Sequence, residues 1–189
     1  MKPAIFLDRD GTIIKDKGNL GDPEQVEFYH YTFDCLRLLQ TRFLLFIITN
    51  QPGISKGIIS QKQVETVNSY IQSVLKEEGI EIKAIYCCPH QKSENCECRK
   101  PKTHFIEQAQ KEFSLDLLNS FVIGDHPGDT ELAINSGANG IYLLTGHGKK
   151  HVKELSDSLK KKTTIKRNLE FATKTILNNR LPGTFHTTK

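Results

Sequence analysis

No stretch of this 189-residue sequence is apolar enough to cross a bilayer. Its longest uninterrupted hydrophobic run, from Phe43 to Ile48, is six residues, against the ~20 a spanning helix needs. The first apolar run is cut short by Asp8-Arg9-Asp10, so no secretory leader is expected. Internal repeats and low-complexity segments are absent as well. Cysteine is scarce and odd in number: five residues, four of them between positions 87 and 98. That spacing suits a metal site in a reducing compartment better than a disulfide framework, and a cytoplasmic location is expected. With 37% hydrophobic and 25% charged residues, the chain has enough apolar material for one packed domain.

The net charge of +4 hides an uneven distribution. Residues 1–148 carry 15 Lys/Arg against 19 Asp/Glu, and residues 149–189 carry 11 against 3. The composition therefore divides the chain into a main domain over 1–149 and a basic, partly helical extension over 150–189. A basic extension is compatible with nucleic acid or anionic lipid. Basic residues interleaved with aromatics, as single strands require, are missing, so nucleic acid is disfavoured, a membrane is not expected, and a monomer is expected.

Short apolar runs alternate with helical patterns. Residues 4–7 and 43–49 read as buried strands, with weaker candidates at 81–87, 121–124 and 140–145. Helices are predicted over 31–39, with Phe33, Leu36, Leu38 and Leu39 on one face; over 61–78, with Ser60 as N-cap and Gly79 as stop; and over 103–113 and 129–136. The alternation implies an α/β fold, a Rossmann-like open parallel sheet with helices on both faces. Residues 11–29 and 50–60 read as loops, leaving no insertion large enough for a cap domain. In such sheets ligands bind beyond the carboxyl ends of the strands. Those ends carry Asp8-Arg9-Asp10-Gly11-Thr12, Thr49-Asn50-Gln51, Cys88-Pro89-His90, Gly124-Asp125 and Thr145-Gly146-His147-Gly148.

Asp8 and Asp10, two apart beyond a strand, repel unless a cation neutralises them. Asp125 offers a third oxygen ligand, and Mg²⁺ suits this set, because it takes few carboxylates and bridges to phosphate. A carboxylate beside Mg²⁺ can attack phosphorus, and a second can protonate the leaving oxygen. Thr49, Asn50 and Lys100 can face the transferring oxygens. Cys88, His90, Cys96 and Cys98 form a Cys₃His set appropriate to structural Zn²⁺. Cys35 and Cys87 read as core residues.

Phe6-Leu7-Asp8-Arg9-Asp10-Gly11-Thr12 resembles the first motif of the haloacid-dehalogenase phosphatase superfamily. Ile48-Thr49-Asn50-Gln51 is similar to its second motif, and Gly124-Asp125-His126-Pro127-Gly128-Asp129 to its fourth. Arg99-Lys100-Pro101-Lys102 resembles the third-motif region of one branch, the histidinol-phosphate and D-glycero-D-manno-heptose 1,7-bisphosphate phosphatases, whose zinc loop the cysteine segment also resembles. The resemblance implies phosphomonoester hydrolysis through an aspartyl-phosphate, with Asp8 as nucleophile and Asp10 as general acid/base. It implies Mg²⁺ held by Asp8, the Asp10 carbonyl and Asp125, phosphoryl contacts from Thr49 and Lys100, and substrate recognition by Arg99, with Asn50 and Gln51 beside it.

The loop around Asp16 and Gly18 resembles the substrate loop of the heptose branch at these two positions, and departs from it at Asn19, where the branch carries an aromatic residue. Thr145–Lys149 resembles a glycine-lysine stretch in some heptose enzymes and could cradle a second phosphate. His126 stands where those enzymes often carry lysine. A small phosphorylated sugar is therefore the expected partner, a heptose 1,7-bisphosphate foremost, with histidinol phosphate or another sugar phosphate as the alternative. A zinc-stabilised binding module without catalysis is the distant alternative. His30, His104, His147, His151 and His186 have no assigned role.

Overall fold

A computed structural model of the chain describes residues 1–178. Six strands form one parallel sheet: β1 (Ala4–Leu7), β2 (Leu44–Asn50), β3 (Ile82–Cys88), β4 (Phe121–Gly124), β5 (Asn139–Leu143) and β6 (Thr163–Lys166). Their spatial order is β3-β2-β1-β4-β5-β6. Seven α-helices connect or follow them: α1 (Thr32–Gln40), α2 (Gln61–Glu77), α3 (His104–Phe113), α4 (Pro127–Ser136), α5 (Gly148–His151), α6 (Asp157–Lys162) and α7 (Leu169–Asn178). No described helix is long and apolar enough to cross a membrane.

The period of two along β1 builds both sides of the core. Ile5 and Leu7 face Leu36 of α1, Val67 and Ile71 of α2 and Ile176 of α7. Ala4 and Phe6 face the opposite way, toward Ile106 of α3 and Leu132 of α4. All four β1 residues are fully buried, which explains why the strand reads as a continuous apolar run. The expected helical faces hold with one exception. Leu38 projects into solvent at 52% exposure, while Cys35, Leu36 and Leu39 carry the buried face of α1.

The change of composition near Lys149 is not a break in the sheet. β6 pairs in parallel with β5, Gly140 opposite Thr163, and Leu169, Ala172 and Ile176 of α7 complete the core. The basic residues lie on the outer surface of these elements, so charge marks their exposed side and not a separate body. The end of the basic extension, residues 179–189 with His186, lies outside the described residues.

β1 and β4 are adjacent, Phe6 opposite Val122, and the chain leaves β1 toward β2 on one side and β4 toward β5 on the other. This is the topological switch point, where the carboxyl ends of the strands open a crevice.

Candidate active site

The crevice is a cleft of about 780 Å³. Asp8 and Asp10 enter it from the turn after β1, Thr49 and Asn50 from the end of β2, Lys100 from the loop after β3, and Asp125 from the end of β4. Residues separated by more than a hundred positions thus meet because parallel strands all end on the same rim.

Lys100 is the hinge of the site. Its ammonium lies 2.5 Å from Asp8 Oδ1 and 2.7 Å from Asp129 Oδ1, and donates to the Ile48 carbonyl at 2.8 Å. Burial alone would lower the pKa of Lys100, but Asp129 and Asp8 outweigh it and hold the ammonium charged well above the ordinary lysine value. Asp8 and Asp125 are less well served. Burial pushes Asp8 up to about 7 against the pull of Lys100. Asp125, 3% exposed, is pushed up to about 8 by burial, then by the charges of Asp8 and Asp129. Buried carboxyls raised in this way mark a place where a hard cation fits. Asp8 and Asp125, both oxygen donors lining one cleft, satisfy the chemistry of a Mg²⁺ site.

Replacing Lys100 with Met would strand Asp8 and Asp129 without their shared cation. Loss of one partner from a buried charged pair costs roughly 3–5 kcal/mol. The expected result is a fall of that size in unfolding free energy by urea titration. An unchanged midpoint would show that these groups are not charged together.

Two glycines make the approach to Asp125 possible. Gly11 has φ +80° and Gly146 φ +45°, and a Cβ on them would lie 2.2 and 2.1 Å from Asp125 Oδ2. The same oxygen accepts the His147 N–H at 2.6 Å. Of the glycines after β5, Gly146 is therefore spent on Asp125, and Gly148 on a close approach to the Leu143 carbonyl. Lys149 is exposed and stands outside the lining of the cleft, which His147 of the same stretch borders.

The remaining expected site residues all line the cleft, but several have their polar groups engaged within the protein. Gln51 Nε2 donates to Asp10 Oδ2 at 2.8 Å and Thr49 Oγ1 at 2.7 Å. Asn50 Oδ1 accepts the Lys100 N–H at 3.2 Å and so fixes the segment that delivers the ammonium. Asp16 Oδ1 accepts from Gly18 N at 2.7 Å, and its Oδ2 lies 2.7 Å from His147 Nε2. Asn19 packs on Gly53, where a Cβ would come within 2.3 Å of its Oδ1. Arg99 donates to the His90 carbonyl at 3.0 Å. His126 caps α4, its Nδ1 accepting from Gly128 N at 3.2 Å, and burial lowers its pKa. Sequence reasoning left His147 and His151 unassigned, yet both border the cleft, brought there by the four-residue helix α5, which no apolar pattern announces.

Beside the cleft, Cys88, His90, Cys96 and Cys98 bring four ligand atoms within 4.8 Å of one another. The Sγ separations are 3.2–3.6 Å and His90 Nδ1 lies 3.4 Å from Cys98 Sγ. A tetrahedron with Zn–S bonds of about 2.3 Å has edges near these values, so the set fits Zn²⁺.

The sheet order, the switch-point cleft and its carboxylate–lysine arrangement define a haloacid-dehalogenase-type phosphatase. A sequence family described as polynucleotide kinase 3 phosphatase matches residues 3–186, and the chain belongs to that family. Among its relatives, the D-glycero-beta-D-manno-heptose-1,7-bisphosphate 7-phosphatase of Helicobacter pylori is 42% identical over 144 residues, 75% of this chain and 83% of the relative. The D-glycero-alpha-D-manno-heptose-1,7-bisphosphate 7-phosphatase of Campylobacter jejuni is 36% identical over 168 residues, 84% of this chain and 96% of the relative. A D,D-heptose 1,7-bisphosphate phosphatase from B. bronchiseptica, solved with magnesium and phosphate, superposes with a TM-score of 0.83 at 25% identity, covering 94% of this chain and 98% of that one.

Proposed function

We propose that the chain removes the 7-phosphate from a D-glycero-D-manno-heptose 1,7-bisphosphate by phosphoryl transfer to Asp8. The observation that carries the reaction class is the buried ammonium of Lys100 shared by Asp8 and Asp129 at the switch point of the sheet. The substrate rests on the relatives, which are named for both anomers of that sugar.

In this reading an Asp8 carboxylate oxygen attacks phosphorus while Lys100 and the Thr49 hydroxyl face the equatorial oxygens. Asp10 gives a proton to the departing sugar oxygen, then accepts one from the water that cleaves the aspartyl-phosphate. Asp8, the Asp10 carbonyl and Asp125 would hold Mg²⁺, which supplies charge neutralisation of the phosphoryl group. Cys88, His90, Cys96 and Cys98 would hold Zn²⁺, stiffening the loop that presents Arg99 and Lys100. Arg99, Asp16, Gly18 and Asn19 form the rim toward the sugar.

A second reading follows from the family description, a phosphatase of nucleic-acid 3′ ends. One comparison separates them: phosphate release with Mg²⁺ from both heptose 1,7-bisphosphate anomers, histidinol phosphate and a 3′-phosphorylated oligonucleotide at equal concentration. A heptose should lead by at least a hundredfold in kcat/KM, about 2.7 kcal/mol of transition-state discrimination. A lead for histidinol phosphate or the oligonucleotide would overturn the substrate and leave the chemistry at Asp8 standing.

A further inference from the structure

Arg9 is wholly buried and ranks first by volume among the fully buried side chains. A guanidinium out of water is costly unless bonded to opposite charge, and a methionine would fill the same space without that cost. Its polar contacts run to two residues. Nε lies 3.0 Å from Asp10 Oδ2 and Nη2 2.9 Å from the same oxygen. Nη2 is 3.2 Å from Asp10 Oδ1, and Nη1 donates to Asn68 Oδ1 at 2.8 Å. Gln51 Nε2 adds another donor on Oδ2. Asp10 Oδ2 therefore accepts two N–H groups, from Arg9 Nε and Gln51 Nε2, and Oδ1 a single longer one from Arg9 Nη2. A carboxylate oxygen has about two lone-pair directions, so Oδ2 has no room for a proton and Oδ1 does.

The geometry points to Arg9 as a positioning residue: anchored on α2 by Asn68, it acts with Gln51 to saturate Asp10 Oδ2 and leaves Oδ1 as the oxygen that exchanges the catalytic proton. This rests on the acid/base reading of Asp10. Asn68 is half-buried, one turn beyond Val64 and three residues before Ile71, both buried. The start of α2 is fixed by a reciprocal cap between Ser60 and Gln63. The docked helix thus sets the angle of the Asp10 carboxylate through Arg9. In the first half-reaction an Asp8 oxygen bonds to phosphorus, the ester P–O bond breaks, and the proton on Asp10 Oδ1 goes to the departing alkoxide. In the second, water attacks phosphorus, the bond to Asp8 breaks, and the water proton returns to Oδ1.

A misplaced general acid harms poor leaving groups and spares good ones, which a general loss of packing does not do. The test compares kcat/KM, which reports the first half-reaction, for p-nitrophenyl phosphate and for the sugar phosphate with the highest value in the comparison above. Asp10→Asn, Arg9→Lys and Asn68→Ala are measured side by side. Arg9→Lys keeps the charge but loses the fork, and should slow the sugar phosphate about a hundredfold; Asn68→Ala should slow it about tenfold. Both should change the aryl ester less than about threefold. If Asp10→Asn shows no such selectivity, the acid role of Asp10 fails, and this inference with it. If Asp10→Asn is selective but the Arg9 and Asn68 variants slow both esters equally, or neither, Arg9 serves packing alone and the inference is overturned. Should Arg9→Lys not fold, Asn68→Ala decides the matter.

Discussion

Asp8→Asn is expected to lower phosphate release by about four orders of magnitude while the protein stays folded. The amide is nearly isosteric with the carboxyl but is no nucleophile toward phosphorus, so the covalent route closes. The fold should survive because the substitution removes one charge from a cluster in which burial and the neighbouring Asp129 and Asp10 already work against the Asp8 carboxylate. Lys100 keeps Asp129 at 2.7 Å and the Ile48 carbonyl at 2.8 Å as partners. The check is twofold: release of inorganic phosphate from the preferred ester, and a thermal melt. Near-normal turnover by Asp8→Asn would exclude Asp8 as the attacking group and with it the aspartyl-phosphate.

Loss of the Cys₃His set should be the second large effect, and it should fall on activity before global stability. Cys88 closes β3, and the segment from there to Lys100 holds one short 3₁₀ turn, Lys92–Glu94, with no buried apolar side chain beyond Cys88. Such a loop has little to order it except a metal. Lys100 follows Cys98 by two residues and reaches the bottom of the cleft, so a loosened loop withdraws the ammonium from Asp8. Cys98→Ser, or extraction with a strong chelator, is therefore expected to lower kcat/KM by about a hundredfold or more, since transition-state charge stabilisation by one positioned group is worth that much. Zn²⁺ restored to the chelated wild type should recover the rate. Full turnover in protein shown by metal analysis to hold no zinc would remove the metal from the account. The sheet, whose core lies on β1, β2 and β4, should melt at a temperature only a few degrees lower.

Much of this arrangement is legible in the order of residues. Fully buried strands announce themselves as apolar runs, and in a parallel sheet the polar residues that end each run must share one rim. Asp8, Thr49 and Asp125 could be grouped on that ground alone. β6 could not, because Thr163 to Lys166 is an edge strand with no buried residue, and nothing apolar marks it. Leu38 is apolar yet faces water, since at about 100° per residue it stands about 200° around α1 from Leu36, away from the buried face. The engagement of Gln51 and Asn50 with Asp10 and Lys100 was also hidden. Sequence places them beside the reacting group, but only the turn after β2 decides whether an amide faces ligand or protein. Asp16 and His147, more than a hundred positions apart, meet through loops whose shapes have no periodic signal. Arg9 shows the same limit most clearly: a charged residue between two aspartates reads as a solvated loop position and is in fact the interior support of one of them.

The adjacency of β1 and β4 has a consequence for how the chain reaches its working form. Ile5 stands opposite Phe121, so the two carboxylates at the ends of these strands cannot meet until more than a hundred intervening residues have been gathered in. Closing a loop of that length carries an entropy cost that is repaid only by the late, long-range contacts themselves. Helix α2, which packs against the neighbouring strand β3, can be in place sooner, whereas α1 waits for α7. During refolding from denaturant, helical circular dichroism should return ahead of phosphatase activity, and a nascent chain ending before Phe121 should be inert. Turnover would then report completion of the sheet rather than the appearance of its parts.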